Sequence, residues 1–252
     1  MSQTNTIKVT TGKELYNYQK IAIEEIFQKF DSAVDDYHLL YQLPTGGGKT
    51  VIFSEIVRRY ISKFNKKVLV LTHRIELSKQ TSNMLNEFGV PNKVINSTAK
   101  LDDQDNYDCF VAMVETLKNR LNDDKLDISD IGLVIVDEAH YNSFTKIFKF
   151  FDDSFILGVT ATPLSSNIKL PMYENYQELY VGETIEDLIE NSYLARANMF
   201  SYNVGLTSLE VGANGDYTVK SSEDLYTNVD MLSKLVGAYE ETSKGKKTLI
   251  FN

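Results

Sequence analysis

The chain has only one cysteine, Cys109, among its 252 residues, so no internal disulfide can staple it and a reducing compartment is its natural setting. Within the apolar run YDCFVAMV that thiol reads as a small buried hydrophobe. Long hydrophobic runs are lacking as well. No stretch approaches the roughly 18 apolar residues of a membrane span, and MSQTNTIKVT has no apolar core of a secretory leader. The expectation is a soluble, cytoplasmic protein with no membrane partner. Positive charge is also in short supply. A net charge of -9 argues against nonspecific coating of a polyanion, which needs net or strongly clustered positive charge, but it leaves room for a local basic track. Between Arg58 and Lys79 seven basic residues stand against Glu76 alone. Lys63, Lys66 and Lys67 in that cluster read by default as a solvated helix face. The acidic runs LDDQDNYD and NDDKLDISD read as solvated connections.

What is present is a 42% hydrophobic chain, long enough for one large α/β domain or a domain with an appendage. Leu15, Tyr18, Ala22, Ile26 and Phe30 recur at helical spacing and predict a helix from about Gly12 to Phe30. Short apolar runs then alternate with helical patterns: HLLYQL, KVLVLT, NKVIN, DCFVAMV, IGLVIVD and FILGVTAT are the predicted strands. This alternation predicts a parallel sheet covered by helices on both faces, with ligands at the carboxyl ends of the strands. Beyond Ala197 the chain turns polar. An extended connection with some strand pairing is expected over 196–228, then a helix from NVDMLSKLVGAYEETSK and a closing strand in GKKTLIFN.

Two motifs carry chemistry. In YQLPTGGGKTVIFSEI, glycines that tolerate positive φ lead into a helix opening with Lys49 and Thr50. Such a loop cradles phosphate: backbone N–H groups surround the β-phosphate, Lys49 reaches the β and γ oxygens, and Thr50 coordinates Mg²⁺. The strict G-x-x-x-x-G-K-[ST] pattern is not met, because Leu43 stands at its first glycine. In LVIVDEAH an apolar strand ends in two carboxylates. Asp137 suits Mg²⁺, and Glu138 suits orientation and deprotonation of an attacking water. Read together, Thr45 to Thr50 (Gly46, Gly47, Gly48 and Lys49 between them) and Asp137 outline a cleft for Mg-ATP.

Gly46-Gly47-Gly48-Lys49-Thr50 with Asp137-Glu138-Ala139-His140 resembles motifs I and II of superfamily 2 helicases of the DEAH type. The resemblance implies a RecA-like P-loop NTPase fold over 1–195, a connection over 196–228, and over 229–252 the helix and first strand of a second RecA-like domain. ELYNYQKIAIEEI resembles the adenine-recognition segment, in which Gln19 bonds the adenine edge; Tyr16 stands where many relatives have a stacking arginine. VLVLTHRIELSKQ resembles motif Ia, which implies that Thr72 and Arg74 contact strand phosphates. VAMVETLKNRL resembles motif Ib and gives the same role to Thr116. GVTATP resembles motif III, so that Thr160 and Thr162, with His140, couple the nucleotide to the nucleic acid. The pattern is nearest the branch holding RadD, XPB-like and type III restriction translocases, which favours DNA over RNA as partner. No residues match motifs V and VI, so this chain is expected to hold the first half of a two-domain motor and, alone, to be a poor ATPase. Two rivals are a small-molecule P-loop kinase, against which VTATP and DEAH argue, and a non-catalytic nucleic-acid or partner-binding module on the same fold.

Overall fold

A computed structural model describes residues 14–33, 36–96, 104–122, 130–167, 169–203, 206–213 and 215–249. The chain divides into two compact units, Met1–Arg196 and Ala197–Asn252. In the first, seven strands form one sheet: β1 (His38–Gln42), β2 (Lys67–Thr72), β3 (Asn92–Ile95), β4 (Cys109–Met113), β5 (Ile131–Asp137), β6 (Phe155–Thr160) and β7 (Glu178–Val181). Their order is β3-β4-β2-β5-β6-β1-β7, and every pair is parallel. The helices are α1 (Asn17–Ser32), α2 (Lys49–Phe64), α3 (Ile75–Glu87), α4 (Val114–Asn122), α5 (Thr145–Phe148) and α6 (Ile185–Glu190).

Parallel strands between two helix layers bury both faces, which is why they read as continuous apolar runs. All seven residues of β5 are buried. Alternate residues serve opposite layers: Leu39 and Tyr41 join Ile23, Ile26, Phe53 and Ile56 beneath α1 and α2, whereas Leu40 joins Leu117 and Ile147 beneath α4 and α5. The expected α/β sheet with helices on both faces is therefore present, and it is the RecA-like arrangement. Helix α1 starts at Asn17, later than the apolar stripe suggests, and Gly12 and Lys13 lie outside the described residues. Strand β7, which has no counterpart among the predicted strands, pairs with β1 at the sheet edge.

The second unit is small. Val211 and Tyr217 form an antiparallel bridge, followed by α7 (Val219–Tyr226) and α8 (Val229–Thr242). A helix at 219–226 corrects the expectation of extended chain there. Its cause is local, since the Thr218 hydroxyl accepts from the Ser221 amide at 3.3 Å and caps the first turn. In the expected closing strand, Lys247 to Leu249 take no strand structure, and Ile250 to Asn252 lie outside the described residues.

Candidate functional site

The sheet brings the singled-out residues to the carboxyl ends of β1, β2, β4, β5 and β6. After β1 the Leu43 amide donates to the Thr160 carbonyl at 2.9 Å, tying the glycine loop to the end of β6. Leu43 is fully buried, so the position that departs from the strict pattern serves as core. Gly46 and Gly48 take φ of +87° and +81°, which an L side chain rarely adopts. Thr45 is exposed at the loop tip, and the Tyr18 hydroxyl donates to the Gly47 carbonyl at 2.7 Å. Gly48 caps the 16-residue α2, whose first N–H groups have no partner within the helix and carry its positive dipole end. Lys49, buried at the start of α2, donates from Nζ to the Leu43 carbonyl at 3.3 Å, and Thr50 follows half-buried.

Opposite stands Asp137, 6% exposed at the end of β5. Burial, and then the neighbouring Glu138 carboxylate, push its carboxyl up to about 6, while Lys49 and the Glu138 amide pull the other way. Glu138 itself takes φ of +53°, a left-handed conformation uncommon outside glycine. Two bonds hold it there: its amide donates to Asp137 Oδ1 at 3.1 Å, and the next amide, of Ala139, donates to the Val159 carbonyl at 3.0 Å. A buried anion short of compensating charge, a lysine, a hydroxyl and a helix N-terminus make a donor set that fits a magnesium-bound polyphosphate.

His140 turns back toward β6. Its Nδ1 lies 3.0 Å from Thr160 Oγ1 and 3.5 Å from Glu138 Oε2. The Thr160 hydroxyl in turn donates to the Thr162 carbonyl at 3.0 Å and accepts from the Thr162 amide at 3.1 Å. His140, Thr160 and Thr162 are thus joined by hydrogen bonds. Tyr141, which carried no expectation, has its ring 4.3 Å from both the His140 and the His73 rings, and so links this segment to the end of β2.

Gln19 is only 3% exposed. Its Oε1 accepts from the Tyr16 amide at 3.0 Å and its Nε2 lies 3.4 Å from the Tyr18 hydroxyl, so both ends of the amide are engaged inside the protein. Tyr16 remains 51% exposed beside it. Thr72 is fully buried, with its hydroxyl 2.6 Å from Ser78 Oγ and 3.3 Å from the Arg74 carbonyl, so it braces the start of α3. Arg74 is exposed and, with Glu138 and Tyr141, lines an open pocket of about 500 Å³. Thr116 is half-buried in the first turn of α4. Part of the basic cluster is paired: Glu55, although burial pushes its carboxyl up, is held below the usual range by Arg58 and Arg59, and Lys63 pairs with Asp31.

Comparison with known proteins bears on the same residues. A family model described as "Type III restriction enzyme, res subunit" matches residues 12–165. A 51.5 kDa protein of a Lactococcus phage (isolate 7-9) is 30% identical over 216 residues, which cover 84% of this chain and 43% of that protein. The putative ATP-dependent helicase IRC3 of Saccharomyces cerevisiae is 29% identical over 218 residues, covering 80% of this chain and 31% of the relative. This chain therefore spans less than half the length of either. Among solved structures, a nuclease-deletion mutant of the Type ISP restriction-modification enzyme LlaGI, in complex with a DNA substrate mimic, superposes with a TM-score of 0.58 at 19% identity, covering 72% of this chain and 21% of that one. That likeness is one of fold.

Proposed function

This chain belongs to the type III restriction enzyme, res subunit, family and carries the first RecA-like domain of a superfamily 2 helicase, and on that premise we propose that it is the ATP-binding part of a DEAH-type motor coupling ATP hydrolysis to movement along DNA. The observation that carries the reading is that Asp137, buried at the end of β5 with Glu138 next in the chain, feels the charge of Lys49 at the start of α2. Loop amides and the α2 N-terminus hold the β- and γ-phosphates, and Lys49 leaves the Leu43 carbonyl to join them. Thr50 and Asp137 would hold Mg²⁺, whose chemistry there would be neutralisation of the phosphate charge. Glu138, held in its left-handed backbone conformation, orients and deprotonates the attacking water.

His140, Thr160 and Thr162 pass the state of Glu138 toward the outer end of β6. Arg74 and Thr116 grip the strand backbone, where neither contact reads bases, and Thr72 positions the Arg74 segment from below. DNA is the polymer proposed, from the family and from the DNA bound to a protein of the same fold. Calorimetry of Mg-ATP against the wild-type chain and Lys49→Ala tests the nucleotide half, and equal affinity in the two proteins refutes it. Fluorescence anisotropy with single-stranded DNA and RNA of one sequence tests the polymer, and tighter RNA binding reverses the choice.

A further inference from the structure

Helix α6 ends in a closed turn. Ser192 takes φ of +61°, and the amides of Tyr193 and Leu194 both donate to the Leu188 carbonyl, at 2.8 and 2.9 Å. Leu188 is fully buried, so the turn is anchored to the core and fixes where the next two side chains stand. Leu194 lies against the glycine loop, where its Cδ2 is 2.9 Å from the place a Cβ on Gly46 would occupy. Tyr193 lies against the adenine-recognition segment. Its ring centroid is 4.7 Å from that of Tyr16, tilted by 48°, and 4.9 Å from that of Tyr18. Tyr18 in turn bonds the loop through the Gly47 carbonyl.

Tyr16 needs this support. It is the residue before α1, half its surface is exposed, and an exposed aromatic at a helix start samples several rotamers unless something packs against it. Gln19 fastens only the Tyr16 backbone, by accepting from its amide. The Tyr18 ring lies 6.0 Å from that of Tyr16, stacked at 18°, and the Tyr193 ring packs nearer, at 4.7 Å; with both ends of the Gln19 amide engaged inside the protein, stacking on Tyr16 carries a larger share of base recognition than an edge-on hydrogen bond.

We infer that Tyr193 is a positioning residue of the nucleotide-base subsite, holding the Tyr16 ring so that its open face forms a stacking shelf for adenine. This rests on the nucleotide-binding reading above and adds to it a residue far away in sequence. Fixing the ring before the base arrives removes an ordering cost from binding, and aromatic stacking of this kind is worth a several-fold gain in affinity.

The test is calorimetry on the whole 252-residue chain with two probes, Mg-ATP and Mg-tripolyphosphate, the second lacking the base. Tyr193→Ala is expected to weaken ATP about 5- to 10-fold while leaving tripolyphosphate within about twofold, and Tyr193→Phe should restore ATP, because the ring and not the hydroxyl makes the contact. Should Tyr193→Ala fail to fold, Tyr193→Leu keeps the bulk, loses the ring and carries the same comparison. Unchanged ATP affinity in these variants, or an equal loss for both probes, overturns the inference. A wild-type chain that binds ATP no more tightly than tripolyphosphate overturns it while sparing the phosphate loop. A wild-type chain that binds neither overturns the nucleotide reading itself, and the shelf with it.

Discussion

Replacing Asp137 by asparagine should stabilise the free protein, by an amount that depends on pH. The carboxyl sits 6% exposed at the end of β5, and burial, then Glu138, lift it from an ordinary 3.8 to about 6. Unfolded, it releases its proton near pH 4. Between that value and about 6 the folded chain holds more proton than the unfolded one, so stability falls as pH rises through this window, and above it the full penalty is in force. At about 1.4 kcal/mol for each pH unit of displacement, that penalty is about 3 kcal/mol. Asparagine cannot ionise, and its Oδ1 can still accept from the Glu138 amide as the aspartate does at 3.1 Å. Asp137→Asn should therefore exceed wild type by about 2 kcal/mol at pH 5 and about 3 kcal/mol at pH 8, because titrations of groups not coupled to Asp137 cancel in the difference. Urea denaturation of both proteins at those two pH values, in EDTA to keep divalent cations off the site, measures it. A difference that stays constant from pH 5 to pH 8, or a less stable variant at pH 8, refutes the reasoning.

Glu138→Gln keeps size and hydrogen bonding but removes the base, so Mg-ATP affinity should stay within about threefold of wild type while single-turnover hydrolysis falls by about 10² or more; lost ATP binding in calorimetry would make Glu138 structural. Arg74→Ala should lower the slope of log affinity against log salt for single-stranded DNA by about 0.7, the share of one phosphate contact. An unchanged slope in anisotropy titrations at several salt concentrations would remove Arg74 from the strand path. Tyr176, fully enclosed against Gly158, has no hydrogen-bond partner for its hydroxyl among the described residues. Tyr176→Phe should consequently raise stability by about 1 kcal/mol, or roughly 2–4 °C in thermal midpoint by calorimetry, and a drop of similar size would mean the hydroxyl is satisfied in solution.

The five inner strands are legible in the sequence for one physical reason: runs such as KVLVLT or IGLVIVD are apolar because helices cover both sides, whereas β3, at one edge, is legible from the short run NKVIN although only Ile95 of it is buried. Strand β7 escapes the same logic. At the sheet edge its four residues alternate between half-buried and exposed, and so short a pattern does not stand out. The phosphate loop and the Asp137–Glu138 pair are legible because their chemistry restricts residue type at fixed spacing. Side-chain direction is not. Whether Thr72 faces a ligand or Ser78, and whether Gln19 faces outward or binds the Tyr16 amide, follows from packing between segments, which spacing along the chain does not encode. Tyr193 belongs to the same class, since its ring meets Tyr16 only once α6 has returned to the loop.

The strand order has a consequence for biosynthesis. Strand β1 is the first to leave the ribosome, and it carries the glycine loop, yet it lies between β6 and β7: His38 faces Ile156, and Leu39 faces Glu178. Until the chain has been made through Thr160, β1 has no lateral partner and its apolar residues wait uncovered, and until Val181 it is paired on one side alone. Such long-range parallel pairing is slow to form and exposed to aggregation while it waits. The Leu43 amide, which fastens the loop to Thr160, likewise gains its acceptor only when β6 is in place. A nascent chain thus holds the whole glycine-lysine-threonine signature long before it can hold a nucleotide, and the onset of ATP binding during synthesis marks closure of the sheet's last gap.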